Sequence, residues 1–192
     1  VQEAAAAQQV TADFSPKPLE DMPGSGLHLH LHLNDSSGRN VFFREEEEGA
    51  YSPILLHAIG GMLALLRESM PVFAPSDMSY TRFRAQMNAP VNASWGTNNR
   101  TVALRLPQKP LDNKHIEHRV AGADANPVLA LLLMLAGAHY GISREILPEE
   151  PIYGNAWDAH YDRTALPENL EEAVECMQHS LPLQRYMGES VI

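Results

Sequence analysis

The chain has 192 residues, of which 44% are hydrophobic and 20% charged, a composition typical of globular proteins and not of disordered or fibrous ones. Its formal net charge of −10 argues against a general nucleic-acid binder, and no apolar run free of helix breakers reaches membrane-spanning length. A single cysteine, Cys176, excludes a disulfide framework and is typical of a reducing compartment, so we expect a cytoplasmic protein.

The first part of the chain predicts a connector followed by one alternating strand. VQEAAAAQQV at 1–10 is typical of the end of a helix, and the stretch at 10–26, rich in Pro, Gly and Asp, predicts an extended connector. LHLHLHL at 27–33 alternates strictly, which predicts a strand with leucines on one face and histidines on the other. The histidines of that face are His28, His30 and His32.

A turn, an acidic run and a helix follow. NDSSGRN at 34–40 predicts a hairpin-type turn, and the four glutamates at 45–48 predict a solvated loop. Ser52 followed by Pro53 is typical of a helix start, and we expect this helix to run to about residue 70. The Gly60-Gly61 pair inside it predicts close packing with a neighbour and not a break.

The middle of the chain predicts an irregular segment and two strands. Residues 79–94 show no regular period, whereas TVALRLP at 101–107 and KHIEHRV at 114–120 alternate as strands do. The alternation divides the second strand into two faces. One face carries His115, Glu117 and Arg119, and the other carries Ile116, His118 and Val120.

Two helices are predicted in the last third. Asn126 followed by Pro127 repeats the helix start, and the apolar residues after it predict a centrally buried helix that ends near Gly141. After a proline-rich linker at 148–167, residues 168–180 predict an amphipathic helix. Helices that cover strands with polar faces indicate the α+β class.

The basic residues are concentrated in one part of this acidic chain. Seven of the 14 Lys and Arg residues lie between Arg82 and Arg119, together with only two acids, Asp112 and Glu117. Such an island predicts a site for a small polyanion, such as a phosphate or a carboxylate.

The row of histidines predicts a functional strand face. Side chains two apart on a strand are separated by roughly 7 Å, too far for all three imidazoles to bind one metal ion directly. One can be a ligand while a neighbour contacts the substrate, and Gly24 in the preceding GSG lets the backbone approach a ligand closely. A polar strand face with no function is the alternative.

The HIEHR motif adds a carboxylate and a guanidinium to the same kind of face. Glu117 can ligate Mg²⁺ or Mn²⁺, and Arg119 can bind a carboxylate or phosphate through two nitrogens, although a simple ion pair is the alternative. Arg105 lies within an alternating apolar strand, where a bound anion would offset the cost of burying its charge.

These residue types favour metal-assisted phosphoryl transfer. Histidine, one carboxylate and several arginines supply the positioning and charge neutralisation on which that chemistry depends. No nucleophile motif, P-loop, dinucleotide fingerprint or CxxC occurs. From the residues alone, a metal-binding module with a phosphate pocket remains an alternative.

Several motifs, in this order, resemble the catalytic half of the glutamine synthetase family. They are FSPKPLEDMPGSGLHLH, the NAPV loop, NNRTVALRLP and HIEHRVAGADANPVLALLLMLAG. The stretches WGTNNRTVALR and AGADANP are closer to the gamma-glutamylpolyamine synthetase-like branch than to housekeeping enzymes.

The resemblance implies an ATP-dependent ligase that joins glutamate to ammonia or an amine through γ-glutamyl phosphate, with Mg²⁺ or Mn²⁺, in a double-ringed homo-oligomer. It implies a largely antiparallel curved sheet that carries the active-site face and is covered by helices. It also implies that residues 1–192 are the C-terminal part of the catalytic domain, without the N-terminal small domain and the upstream part of the catalytic domain. We therefore expect the chain alone to be inactive. A non-catalytic relative that keeps the fold is the alternative.

The resemblance also implies roles for individual residues. His28 and Glu117 would be metal ligands, and His30 and His115 would contact ATP. Glutamate would be bound by the Gly24 backbone, Arg82 and Arg119, and the transferring phosphoryl group would be neutralised by Arg100 and Arg105. His32 has no such role, and we expect it to be a bystander or to lie near the nucleotide.

Three positions depart from the family pattern. Pro23 stands where the family has Asn, and His115 stands where an Arg commonly contacts ATP, with Lys114 adjacent. Asn88 occupies the position of the glutamate that deprotonates ammonium in ammonia-using members. Because an amide side chain cannot act as a base, this departure counts against plain glutamine synthesis and favours either an acceptor amine other than ammonia or an inactive relative.

Overall fold

A computed structural model describes residues 1–42, 51–108 and 113–188. The strands are β1 (Leu29–Leu31), β2 (Trp95–Thr97), β3 (Leu104–Leu106) and β4 (Ile116–His118). The helices are α1 (Gln2–Ala7), α2 (Pro53–Ala64), α3 (Met70–Phe73), α4 (Asp77–Tyr80), α5 (Pro127–Arg144), α6 (Leu170–Gln178) and α7 (Leu181–Met187). The acidic run at 45–48 lies outside the described residues.

The four strands form one sheet in the order β1-β4-β3-β2. β4 pairs antiparallel with β1 and β3, while β2 and β3 are parallel, so the predicted α+β class and largely antiparallel sheet are confirmed. The register places Glu117 of β4 opposite His30 of β1 on one side and opposite Arg105 of β3 on the other. The sheet therefore brings the basic island and the histidine row together.

The predicted alternation of faces is confirmed. Leu31 and Ile116 are buried in the core, whereas His28, His30 and His32 are exposed on the opposite face. His118 points to the core side, where its ring packs 4.5 Å from the Phe73 ring. Complete burial, with the charge of His28 as a second cause, lowers the pKa of His118 to about 3, so that it is neutral.

Helices α2 and α5 pack against each other through glycines. Ser52 caps α2 by accepting a hydrogen bond from the Leu55 amide, and Asn126 caps α5 by accepting hydrogen bonds from the first two amides of the helix after Pro127. A Cβ atom at Gly61 would overlap the backbone of Gly137 and Gly141. The predicted close packing at this glycine pair is confirmed, because only a residue without a Cβ atom lets the backbones of α2 and α5 approach so closely.

Several predicted boundaries differ from the structure. α2 ends at Ala64, and the chain continues in turns to α3, where Pro71 has no amide hydrogen with which to extend a helix. α5 continues past Gly141 to Arg144, because Gly141 lies within the contact with α2, and the helix ends where Glu145 adopts a left-handed conformation with φ 53°. β2, α3, α4 and α7 were not predicted.

α5 is buried on one face only, which corrects the prediction of a centrally buried helix. Its inner face contacts α2, and its outer face exposes Val128, Leu131, Leu132 and Leu135. The helix is long and apolar enough to cross a membrane by those two measures alone, and 39% of it is buried within the protein.

Candidate active site

Glu117 lies at the centre of the candidate site. It is 3% exposed, and its Oε2 accepts a hydrogen bond of 2.7 Å from Arg105 Nη1 while its Oε1 accepts one of 2.9 Å from Arg119 Nη1. Burial alone would raise the pKa of Glu117, but the hydrogen bonds and charges of the two arginines outweigh it and hold the pKa below its usual value. The carboxylate is therefore ionised.

His28 contacts the same carboxylate from the end of β1. Its Nδ1 lies 3.0 Å from Glu117 Oε1, and its side chain is 37% exposed. Burial, followed by the charge of Arg119, lowers the pKa of His28 despite the nearby carboxylate. A neutral imidazole beside an ionised carboxylate is the form in which both groups bind metal ions.

The His28–Glu117 pair fits a divalent metal ion. Two ligand atoms, each about 2.1 Å from an octahedral ion, stand roughly 3.0 Å apart, which is the separation of His28 Nδ1 and Glu117 Oε1. Over residues 1–42, 51–108 and 113–188, no group of three or more His, Cys, Asp or Glu side chains is arranged to hold a metal. The described residues therefore offer two candidate ligands for such a site and not a complete set.

The other two histidines of the row contact His115. The His115 ring centroid lies 5.1 Å from that of His30 and 4.5 Å from that of His32. Next to them, a cavity of about 190 Å³ is lined by His115, Lys114 and Tyr51 among others. The rings offer faces on which a flat group can stack, and Lys114 offers a positive charge to an anionic group.

Arg82 runs beside the glycines that precede β1. It is 3% exposed, and its two terminal nitrogens donate hydrogen bonds to the carbonyls of Val120 and Ala121 at 3.1 and 3.4 Å. A Cβ atom at Gly24 would lie only 2.6 Å from Arg82 Cγ, and one at Gly26 would lie 3.5 Å from Arg82 Nη2. The glycines of the GSG sequence therefore make room for this buried guanidinium.

Gly26 also marks where Arg82 and His28 approach each other. A Cβ atom at Gly26 would lie 3.2 Å from His28 Nε2, close to the same position that Arg82 Nη2 approaches. The His28 imidazole and the Arg82 guanidinium therefore both border the space above the Gly26 backbone.

Arg119 and Arg105 are each held by a second partner from the loops. Arg119 Nη2 donates to the carbonyls of Arg100 at 3.0 Å and Asn88 at 3.2 Å, and Arg105 Nη2 donates to Asn98 Oδ1 at 2.7 Å. Asn88 and Asn98 both have positive φ angles, 56° and 51°. Asparagine tolerates this left-handed conformation better than most residues. The residue type itself is therefore the signal by which Asn98 could have been identified in the sequence.

The structure does not bring every predicted residue to Glu117. The Arg100 guanidinium is exposed and makes no hydrogen bond or ion pair within the described part of the chain, and only its carbonyl contacts Arg119. Five residues do come together around the carboxylate and the adjacent glycines. They are His28, Arg82, Arg105, Glu117 and Arg119.

Comparisons with known proteins connect this arrangement to a family. The sequence-family model described as the glutamine synthetase catalytic domain matches residues 1–192. The chain is 39% identical, over 93% of its length, to gamma-glutamylputrescine synthetase PuuA of Escherichia coli, and 36% identical, over 94%, to the glutamate–isopropylamine ligase of a Pseudomonas species. It spans 37% and 39% of the lengths of these two relatives.

A solved structure matches the fold as well. The ligand-free structure of GmaS superimposes with a TM-score of 0.87 at 29% identity, covering 98% of this chain and 44% of that one. A GmaS/ADP complex gives the same TM-score at 26% identity.

Proposed function

The chain belongs to the glutamine synthetase family, and on that basis we propose that it carries part of the active site of an ATP-dependent ligase. The reaction would join the side-chain carboxylate of glutamate to ammonia or an amine, through γ-glutamyl phosphate, with Mg²⁺ or Mn²⁺. Two relatives that are named for such reactions, a γ-glutamylputrescine synthetase and a glutamate–isopropylamine ligase, support this reaction class. The ADP complex of GmaS supports the use of a nucleotide.

The observation that carries the proposal is the charge around Glu117. Arg105 and Arg119 both bind this one carboxylate, and the buried Arg82 lies near His28 without a carboxylate of its own within hydrogen-bond distance in the described residues. The site therefore has more positive than negative charge, all of it poorly solvated. Such a site suits the carboxylate of a substrate and the phosphoryl group that it receives.

In this proposal each group of residues has a separate role. Arg82, Arg119 and the Gly24 backbone orient glutamate, and Arg100 and Arg105 neutralise the transferring phosphoryl group. His30 and His115 contact the nucleotide phosphates, next to the cavity that contains Lys114. His28 and Glu117 hold the metal ion, which, when bound, polarises phosphoryl oxygens and offsets their charge. For Arg100 this role requires its exposed side chain to turn toward the substrate.

Asn88 supports an amine larger than ammonia as the acceptor. Its side chain has no basic group, and its backbone carbonyl already accepts a hydrogen bond from Arg119. An amine with a larger substituent can bury apolar area and gain affinity that ammonium lacks. We propose an alkylamine or polyamine acceptor on this ground.

The test is phosphate release from ATP by the gene product that contains this chain. Glutamate and Mg²⁺ are held constant, and ammonia is compared with putrescine, isopropylamine and ethanolamine. We expect release that requires both glutamate and an amine and is weak with ammonia. Equal release with ammonia would overturn the acceptor proposal, and no release with any acceptor would overturn the ligase proposal itself.

A further inference from the structure

Asp124 connects the turn after β4 to the start of α4. Its Oδ2 accepts hydrogen bonds from Ser79 Oγ at 2.6 Å and from Ser76 Oγ at 3.1 Å. Ser76 is the N-cap of α4, and the two serines form a capping box there. Since α4 ends at Tyr80, this carboxylate fixes the short helix from which Arg82 projects two residues later.

The other oxygen of Asp124 faces Arg82 itself. A Cβ atom at Gly122 would overlap Asp124 Oδ1 and would lie 2.9 Å from Arg82 Nη1, so the two charged groups approach each other across this glycine. Asp124 Oδ1 and Arg82 Nε are both buried without a hydrogen-bond partner in the described part of the chain. Burial lowers the pKa of Arg82, and the negative charge of Asp124 opposes that effect.

We propose that Asp124 is the positioning residue for Arg82, holding its guanidinium ready for the carboxylate of the substrate. Asp124 acts in two ways: it fixes α4 through the serine hydroxyls, and it partly neutralises a buried cation whose hydrogen bonds all go to backbone carbonyls and whose guanidinium carbon lies 5.2 Å from the centre of the Phe83 ring. Asp124 does not touch the substrate. This inference rests on the proposed function, in which Arg82 binds glutamate.

The requirement for Gly122 follows from the same geometry. Any side chain there would force Asp124 or Arg82 to move, because its first carbon would overlap Asp124 Oδ1 and lie 2.9 Å from Arg82 Nη1. The AGAD sequence at 121–124 therefore acts as one unit, in which a glycine lets a carboxylate approach the buried arginine without a direct hydrogen bond to it in the described residues.

The test compares Asp124→Asn with the wild-type gene product in the ligase assay. Asparagine keeps the size and one acceptor for the serines but removes the charge. We expect the KM for glutamate to rise about tenfold, or about 1.4 kcal/mol in binding, while the KM for ATP and kcat change less than threefold. Asp77→Asn is the matched control, because Asp77 is an exposed carboxylate on the same helix.

The outcomes separate this inference from the proposed function. An active wild-type enzyme whose Asp124→Asn variant keeps the KM for glutamate would overturn the positioning role and leave the ligase proposal standing. Uniform loss of kcat and of affinity for both substrates, with a lower melting temperature, would show a structural role instead and would also overturn it. An inactive wild-type enzyme would overturn both.

A second variant covers the case in which Asp124→Asn does not fold. Ser79→Ala removes the 2.6 Å hydrogen bond to Asp124 and keeps its charge. We expect the KM for glutamate to rise about threefold with little change in kcat, and an unchanged KM would count against the inference.

Discussion

The Nδ1 atom of His28 lies 3.0 Å from the Oε1 atom of Glu117, so the residue that precedes β1 contacts the central residue of β4. An imidazole and a carboxylate at this separation supply two neighbouring positions around one metal ion. We expect His28→Gln to weaken Mn²⁺ binding by the gene product at least about tenfold, because one ligand is lost. Titration calorimetry measures this directly, and His160→Gln, an exposed histidine, is the control. Equal affinity in wild type and His28→Gln would contradict the metal site.

Glu117→Gln tests the carboxylate that both arginines share. The glutamine amide keeps the shape of the glutamate side chain. It leaves the largely buried guanidinium groups of Arg105 and Arg119 without a negative partner. We expect the free energy of unfolding to fall by about 3 kcal/mol and kcat/KM to fall at least about 100-fold. Urea unfolding and the phosphate-release assay measure the two effects, with the exposed Glu3→Gln as control. Unchanged stability would mean that the three groups are not coupled as the structure indicates.

His118 predicts how stability depends on pH. Burial lowers its pKa to about 3, below the ordinary value of 6.5, so its contribution is fully present above pH 6.5 and is lost as the pH falls toward the folded pKa. Each unit below 6.5 costs up to about 1.4 kcal/mol. We expect His118→Phe, which keeps an aromatic ring against Phe73, to flatten the fall in melting temperature between pH 6.5 and 4.5. A slope identical to that of the wild type would show that other groups titrate there.

Asn88→Glu tests the choice of acceptor. A glutamate at this position would add a base beside Arg119, and we expect kcat/KM with ammonia to rise about tenfold while activity with alkylamines falls. Gln86→Glu is the matched control, because it adds the same charge to the same exposed loop two residues away. An equal gain from both variants would reveal a general charge effect and not a catalytic base.

Gly61→Ala tests the contact between α2 and α5. The new methyl group would overlap the backbone of Gly137 and Gly141, which no change of side-chain rotamer can relieve. We expect a loss of about 3 kcal/mol or more in the free energy of unfolding. Ala64→Gly, at the exposed end of the same helix, should cost no more than about 1 kcal/mol. A Gly61→Ala protein as stable as the wild type would contradict the packing.

The faces of β1 and β4 could be predicted because alternation has a period of two and needs no knowledge of the partner strand. The same rule placed His28 on the histidine face of β1 and His118 on the face of β4 opposite Glu117, and the structure shows that this second face lies in the core. The contact of Arg105 with Glu117 could not be predicted, because it depends on the register between β3 and β4, which is set by tertiary pairing.

Other parts of the site depend on structure too short to show a period. α4 has four residues, yet it determines where Arg82 lies, and β2 has three residues that include a glycine. Asp124 was missed because its partners, Ser76 and Ser79, lie about 45 residues earlier in the chain. The double ring, the cytoplasmic location and the domain boundaries implied by the resemblance stay predictions.

The position of Glu117 within the sheet has a consequence for how the site opens. β4 has a neighbouring strand on both sides, whereas β1, in the part of the chain that the structure describes, is paired with β4 alone. The backbone amides of β4 should therefore exchange with deuterium much more slowly than those around His28. We therefore expect β4, with Glu117, to stay protected while local opening of the site begins on the side of His28.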